Sequence, residues 1–203
     1  MPDVYAIARG RVRARLASPL AARAWARRHQ RFFALTGLRP GMRVVDVGCG
    51  ALGLRGLEPR LDITGVDLLA RPEYPGPFVQ AAAARRLPFD DAAFDLAYSS
   101  SVIEHVEPGH REAFAAEVRR VARGFFVQTP ARSFPIEPHA LLPFAHWLAP
   151  TLRRAYWRLG AAGSWEDIQL LRRAELAALF SEPILAERYA GLVKSWIALR
   201  PVG

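Results

Sequence analysis

Gly48-Cys49-Gly50-Ala51-Leu52-Gly53 follows the β-branched run Arg43 to Val47 and has the spacing G-x-G-x-x-G. Glycines at a strand-to-helix turn let the backbone approach a ligand closely, and Asp67 lies about where an acid would accept ribose hydroxyls. Taken alone, this pattern serves a dinucleotide. Asp46, immediately before the glycines, points elsewhere. A carboxylate there repels a pyrophosphate, whereas it attracts the ammonium of a methionine moiety. Short-chain reductase chemistry also needs a Tyr-x-x-x-Lys pair. The chain's single lysine is Lys194, and residue 190 is alanine.

A second group could move protons. His105 follows an apolar run and has an unperturbed pKa suited to general-base work. His139 lies in Gln128-Thr129-Pro130-Ala131-Arg132-Ser133-Phe134-Pro135-Ile136-Glu137-Pro138-His139, where Glu137 and His139, with Phe134, Phe144 and Trp147, could form a substrate wall. His29, His110 and His146 have no paired ligand spacing with one another or with acids, so no metal site is expected.

These residues need a scaffold. Arg43–Val47, Ile63–Leu68, Phe78–Gln80, Phe94–Ser99 and Phe125–Thr129 read as strands buried on both faces of a parallel sheet. His110–Val121 reads as a helix, so the alternation predicts a doubly wound α/β sheet. The segment Ala70–Pro77 holds three prolines and a glycine, which predicts a short or missing helix there. Helical patterns run through about Leu159 and from Trp165 to Phe180, the latter opened by a capping pattern at Ser164-Trp165-Glu166-Asp167. Ile184–Tyr189 and Lys194–Leu199 read as a closely joined, antiparallel pair.

Val44-Val45-Asp46-Val47-Gly48-Cys49-Gly50, Thr64-Gly65-Val66-Asp67, Leu87-Pro88-Phe89-Asp90-Asp91-Ala92-Ala93-Phe94-Asp95-Leu96 and Val102-Ile103-Glu104-His105-Val106 occur in that order. Together they resemble the class I S-adenosylmethionine-dependent methyltransferases, in particular the small-molecule branch that includes quinone-biosynthesis enzymes. The resemblance spans roughly residues 40 to 130. It implies a Rossmann-like, seven-stranded, mostly parallel sheet with a terminal antiparallel strand, and S-adenosylmethionine as cofactor. It further implies that Asp46, Gly48, Cys49 and Gly50 surround the methionine part and that Asp67 and Leu68 take the ribose. Arg85 to Leu87 would lie near adenine, and Ser99 to Ser101, with Ser99 and Ser100 foremost, would close the methionine side. Two departures are visible: Leu52 stands where the family has a third glycine, and Ala83 where it often has an acid for the adenine amino group.

The length of 203 residues fits a methyltransferase domain over residues 37–203, with a proline- and aromatic-rich insertion at about 131–160, preceded by a helical arm over residues 1–36. Eight arginines fall between Arg9 and Arg31, and the net charge is +9. Such a balance is compatible with nucleic acid, an anionic membrane face or an acidic substrate. One cysteine excludes an internal disulfide and suits a reducing cytoplasm. The expectation is O- or C-methylation of a small-molecule or lipid-like acceptor by a cytoplasmic enzyme, with peripheral membrane contact through the arm. The alternatives are an RNA methyltransferase that uses the arm, and a non-catalytic relative that only binds the cofactor.

Overall fold

The structure is a computed structural model and describes residues 30–58, 60–160 and 168–203. The arginine-rich stretch before residue 30 and the Ser164–Asp167 capping pattern lie outside the described residues. The described residues divide into two compact units, one within 36–134 with 168–203 and the other of residues 30–35 with 135–160.

The larger unit is built on a sheet of β1 (Arg43–Val47), β2 (Asp62–Asp67), β3 (Phe78–Gln80), β4 (Phe94–Ser100), β5 (Ala122–Pro130), β8 (Ile184–Tyr189) and β9 (Leu192–Arg200). Their order is β3-β2-β1-β4-β5-β9-β8. Neighbours from β3 through to β5 pair in parallel, whereas β9 runs antiparallel to both β5 and β8. This is the expected doubly wound α/β sheet with the chain's last strand reversed. Val44, Val45 and Val47 are fully buried, as strands covered on both faces require.

One sheet face carries Val45, Val47, Ala97, Phe125, Val127 and Ala198 into the main core. Two helices supply its other half. In α1 (Arg111–Val121), Phe114, Ala115, Val118 and Val121 are buried at a helical period, so one stripe faces inward. In α3 (Arg173–Phe180) the buried pair is Leu176 and Phe180, one turn apart. The Glu175 carboxylate accepts the Arg172 N–H at 2.6 Å and opens this helix. Helical pattern upstream of Arg173 is not realised at 168–172, which has no regular secondary structure.

The connections explain where the site can lie. A single 3-10 turn, Leu54–Gly56, stands between β1 and β2, and no helix occurs among residues 68–77. The hairpin joining β8 and β9 is tighter than its sequence suggests. Tyr189 pairs with Leu192, and Ala190 (φ 47°) and Gly191 (φ 81°) form a two-residue left-handed turn.

The smaller unit contains the two-stranded ribbon β6 (Ile136–Glu137) and β7 (Leu142–Pro143), a 3-10 turn at Ala145–Trp147, and α2 (Pro150–Trp157). Residues 30–35 are helical and belong to it as well.

Candidate cofactor site

Strand order reverses between β1 and β4, and open α/β sheets bind ligands outside the carboxyl ends of the strands at such a switch. The glycine loop leaves β1 there. Gly48 has φ 77°, and a Cβ at this position would collide with the Val102 side chain, so only glycine passes. The Gly48 and Cys49 N–H groups donate to Val66 O at 2.7 and 3.1 Å, folding the loop over the end of β2. Gly50 has φ 59° and nothing within 4 Å of where a Cβ would stand, which leaves bare backbone open to a ligand. These features fit the methionine end of the cofactor.

Gly53 resolves the Leu52 departure. It has φ 52°, and a Cβ there would collide with the Asp46 carboxylate. The third glycine is thus moved one residue along, and Leu52 is exposed. The close passage lets Asp46 Oδ2 accept the Leu54 N–H at 2.6 Å, capping the 3-10 turn. Asp46 is 2% exposed. Burial, against the Leu54 bond and with help from Asp67, pushes its pKa up to about 7. Its carboxylate therefore braces the loop from beneath, and the expectation of direct contact with the methionine ammonium becomes one of support. The buried Cys49 thiol is pushed up to about 12, by burial first and then by Asp46 and Asp67, so it stays protonated.

Asp67 ends β2 with both oxygens engaged. Oδ2 accepts the Gly50 N–H and Oδ1 the Leu69 N–H, each at 2.9 Å. Arg71 adds Nε at 3.2 Å from Oδ2 and Nη2 at 3.4 Å from Oδ1. Leu68 and Leu69 beside it are exposed, offering an apolar flank. A carboxylate at a strand end beside exposed apolar side chains fits a ribose with a base stacked near it.

The adenine side differs from expectation. Leu87 is 1% exposed and packs in the main core. Its N–H donates to Glu117 Oε2 at 2.8 Å and its carbonyl accepts from Arg120 Nη2 at 3.1 Å. Arg120 also holds Phe89 O and bridges to Glu117, so α1 anchors the segment while the Leu87 side chain packs in the core. Arg85, in the preceding turn, is exposed.

Ser99 is likewise internal. It is 1% exposed and donates to Val47 O at 2.9 Å, tying β4 to β1. Ser100 donates to Gln128 Oε1 at 3.2 Å; Gln128 Nε2 in turn donates to Glu187 and Ser195, both at 3.1 Å. The serines thus set the strand ends. Ser101, with φ 57°, makes the bend out of the sheet.

His105 is exposed on the 3-10 turn Ile103–His105. Its neighbour Glu104 is buried, accepting the Thr129 hydroxyl at 2.9 Å and locking that turn to β5. In the smaller unit, Glu137 is 1% exposed. Its Oε2 accepts the N–H groups of His139 and Ala140 at 2.9 and 2.5 Å, while Oε1 lies 2.8 Å from His139 Nδ1.

Two contributors were not anticipated. Arg71 stands four residues after Asp67 and reaches its carboxylate. Tyr74 lies against Gly65, where a Cβ would collide with its ring, and its hydroxyl is buried; burial, then Asp46, pushes its pKa up.

Comparison with known proteins agrees with this geometry. The family described as "Methyltransferase domain" matches residues 45–125. A protein of Pyrococcus horikoshii OT3 is similar in fold, with TM-score 0.58 and 17% identity over 94% of this chain and 90% of that one. So is an S-adenosylmethionine-dependent methyltransferase of Methanosarcina mazei, with TM-score 0.53 and 18% identity over 80% of this chain and 92% of that one. A third is the 1,6-didemethyltoxoflavin-N1-methyltransferase of Burkholderia thailandensis, solved with 1,6-didemethyltoxoflavin and S-adenosylhomocysteine (TM-score 0.51, 17% identity, 79% and 70% covered). No curated protein matches the chain. The glycine loop and Asp67 both fall within the matched residues, and the fold around them is similar to that of solved S-adenosylmethionine-dependent methyltransferases.

Proposed function

We propose that the methyl group passes to oxygen or carbon of a small-molecule or lipid-like acceptor, with His139 accepting the acceptor's proton. The Glu137–His139 pair carries this reading. A buried carboxylate 2.8 Å from Nδ1 makes that nitrogen the proton-bearing one and turns Nε2 into the acceptor. The two backbone bonds to Glu137 hold the carboxylate itself still, so the ring's orientation is set.

When bound, S-adenosylmethionine supplies a sulfonium methyl as electrophile. The acceptor atom bonds to the methyl carbon as the carbon–sulfur bond breaks, sulfur leaving neutral. The acceptor's O–H or C–H proton must then go to a base, and positioning supplies the remainder of the rate. His105, exposed on its 3-10 turn, is the weaker choice. A reducing, cytoplasmic setting agrees with the single buried thiol.

The test is transfer of a labelled methyl group from S-adenosylmethionine into fractionated cell extract. Label should enter the lipid or small-molecule fraction, and His139→Asn should abolish it while S-adenosylhomocysteine binding persists. Label confined to RNA would overturn the acceptor class; full activity of His139→Asn would overturn the base.

A further inference from the structure

Seven of the thirteen exposed large apolar side chains of the described residues lie between Ile136 and Leu159. They are presented by construction. In the β6–β7 ribbon, Glu137 and its partner Leu142 face inward, so Ile136 and its partner Pro143 face out. Leu141 (φ 56°) and Phe144 (φ 59°), at either end of β7, are left-handed non-glycine residues, each more than half exposed. Such backbone is strained, and it is used to aim apolar side chains outward. The Phe144 and Trp147 rings pair at 5.3 Å, and Trp147 is half exposed.

α2 continues the pattern. Leu152, Ala155 and Leu159 are exposed at i, i+3 and i+7, one stripe along the helix and its C-terminal turn. Arg154 and Arg158, one turn apart and exposed, border that stripe. Across residues 135–160 the acid is Glu137, which is buried, against Arg153, Arg154 and Arg158. The surface is therefore apolar and aromatic with a purely basic rim.

We infer that this surface docks onto an anionic lipid bilayer. Trp and Phe prefer the boundary between headgroups and acyl chains, and neighbouring arginines add attraction to anionic lipid. A protein partner with an acidic rim would meet the same charges. The bilayer is favoured because a two-residue aromatic tip beside an exposed Leu stripe matches shallow insertion. None of the described helices is long and apolar enough to cross a membrane, so contact would be peripheral. This goes beyond the acceptor reading and can be measured without turnover.

The experiment is flotation of the full chain with vesicles of phosphatidylcholine containing about one-third phosphatidylglycerol, and with phosphatidylcholine alone. Wild type should float with the anionic vesicles, and less so as salt is raised. Phe144→Ser/Trp147→Ser should lower partitioning about tenfold. Arg154→Gln/Arg158→Gln should abolish the preference for anionic lipid. Retained S-adenosylhomocysteine binding shows that the variants are folded. Unchanged flotation of both variants, or no flotation of wild type, would overturn the proposal. A vesicle-free dimer lost with Phe144→Ser/Trp147→Ser would assign the surface to a second copy instead. Flotation without methylation of any lipid would leave docking intact and count against a lipid acceptor alone.

Discussion

The Arg71 guanidinium lies against the Asp67 carboxylate, with Nη2 donating to Oδ1 at 3.4 Å and Nε 3.2 Å from Oδ2 as a charge contact alone. Together with the Gly50 and Leu69 N–H groups, it occupies three of the acceptor positions of Asp67. Two ribose hydroxyls therefore need the open position and the one Arg71 holds, because the two backbone donors are fixed by the loops that carry them.

From this it follows that Arg71→Ala should tighten S-adenosylhomocysteine binding. The pair is largely but not wholly shielded, so its loss should favour the ligand by on the order of 1 kcal/mol, several-fold in Kd. Isothermal titration of the two proteins decides it. Weaker binding by Arg71→Ala would show instead that the guanidinium contacts the ligand.

Asp46 makes stability fall with rising pH. Its folded pKa is raised from 3.8 to about 7, so the native chain binds more protons than the unfolded chain between those values. The stabilisation is complete below the unfolded pKa and is lost as pH rises to about 7, by about 4 kcal/mol at most. Asp46→Asn keeps an acceptor for the Leu54 N–H and removes the titration. Urea denaturation from pH 4 to 8 should show the wild type losing stability relative to Asp46→Asn across that window. Parallel curves would contradict the account.

Glu117 acts in the opposite sense. Its hydrogen bonds from Arg120 hold its pKa below the usual carboxylate value, so its contribution is present above the ordinary Glu range and is lost as pH falls through its folded pKa. Glu117→Ala frees the Leu87 N–H and one side of Arg120. It should cost about 1–3 kcal/mol and speed hydrogen exchange at Leu87, with the rest of the sheet protected. Uniformly faster exchange would mean that the pair supports the whole domain.

Parallel strands were legible because residues such as Val44, Val45 and Val47 form apolar runs that leave few other solutions. The place of Asp67 at the end of β2 was legible as well, since the apolar run stops there. Roles that depend on side-chain direction were not. Leu87 and Ser99 lie in the right segments, yet one faces the core and the other spans to Val47, and alternation in so short a run does not say which face is covered. The α3 start was misplaced because Ile168, Leu170 and Leu171 run on into the apolar residues of the helix, while the Glu175 carboxylate caps a later N–H. Arg71 escaped notice because a long side chain reaches its partner through rotamers no spacing rule encodes.

Calorimetric titration of S-adenosylhomocysteine into wild type and Asp67→Ala tests the cofactor assignment most directly. One site should bind in the wild type, and Asp67→Ala should weaken it about 100-fold or more through the loss of two charge-assisted hydrogen bonds. No binding by the wild type at millimolar ligand, or an undiminished affinity in Asp67→Ala, would contradict it.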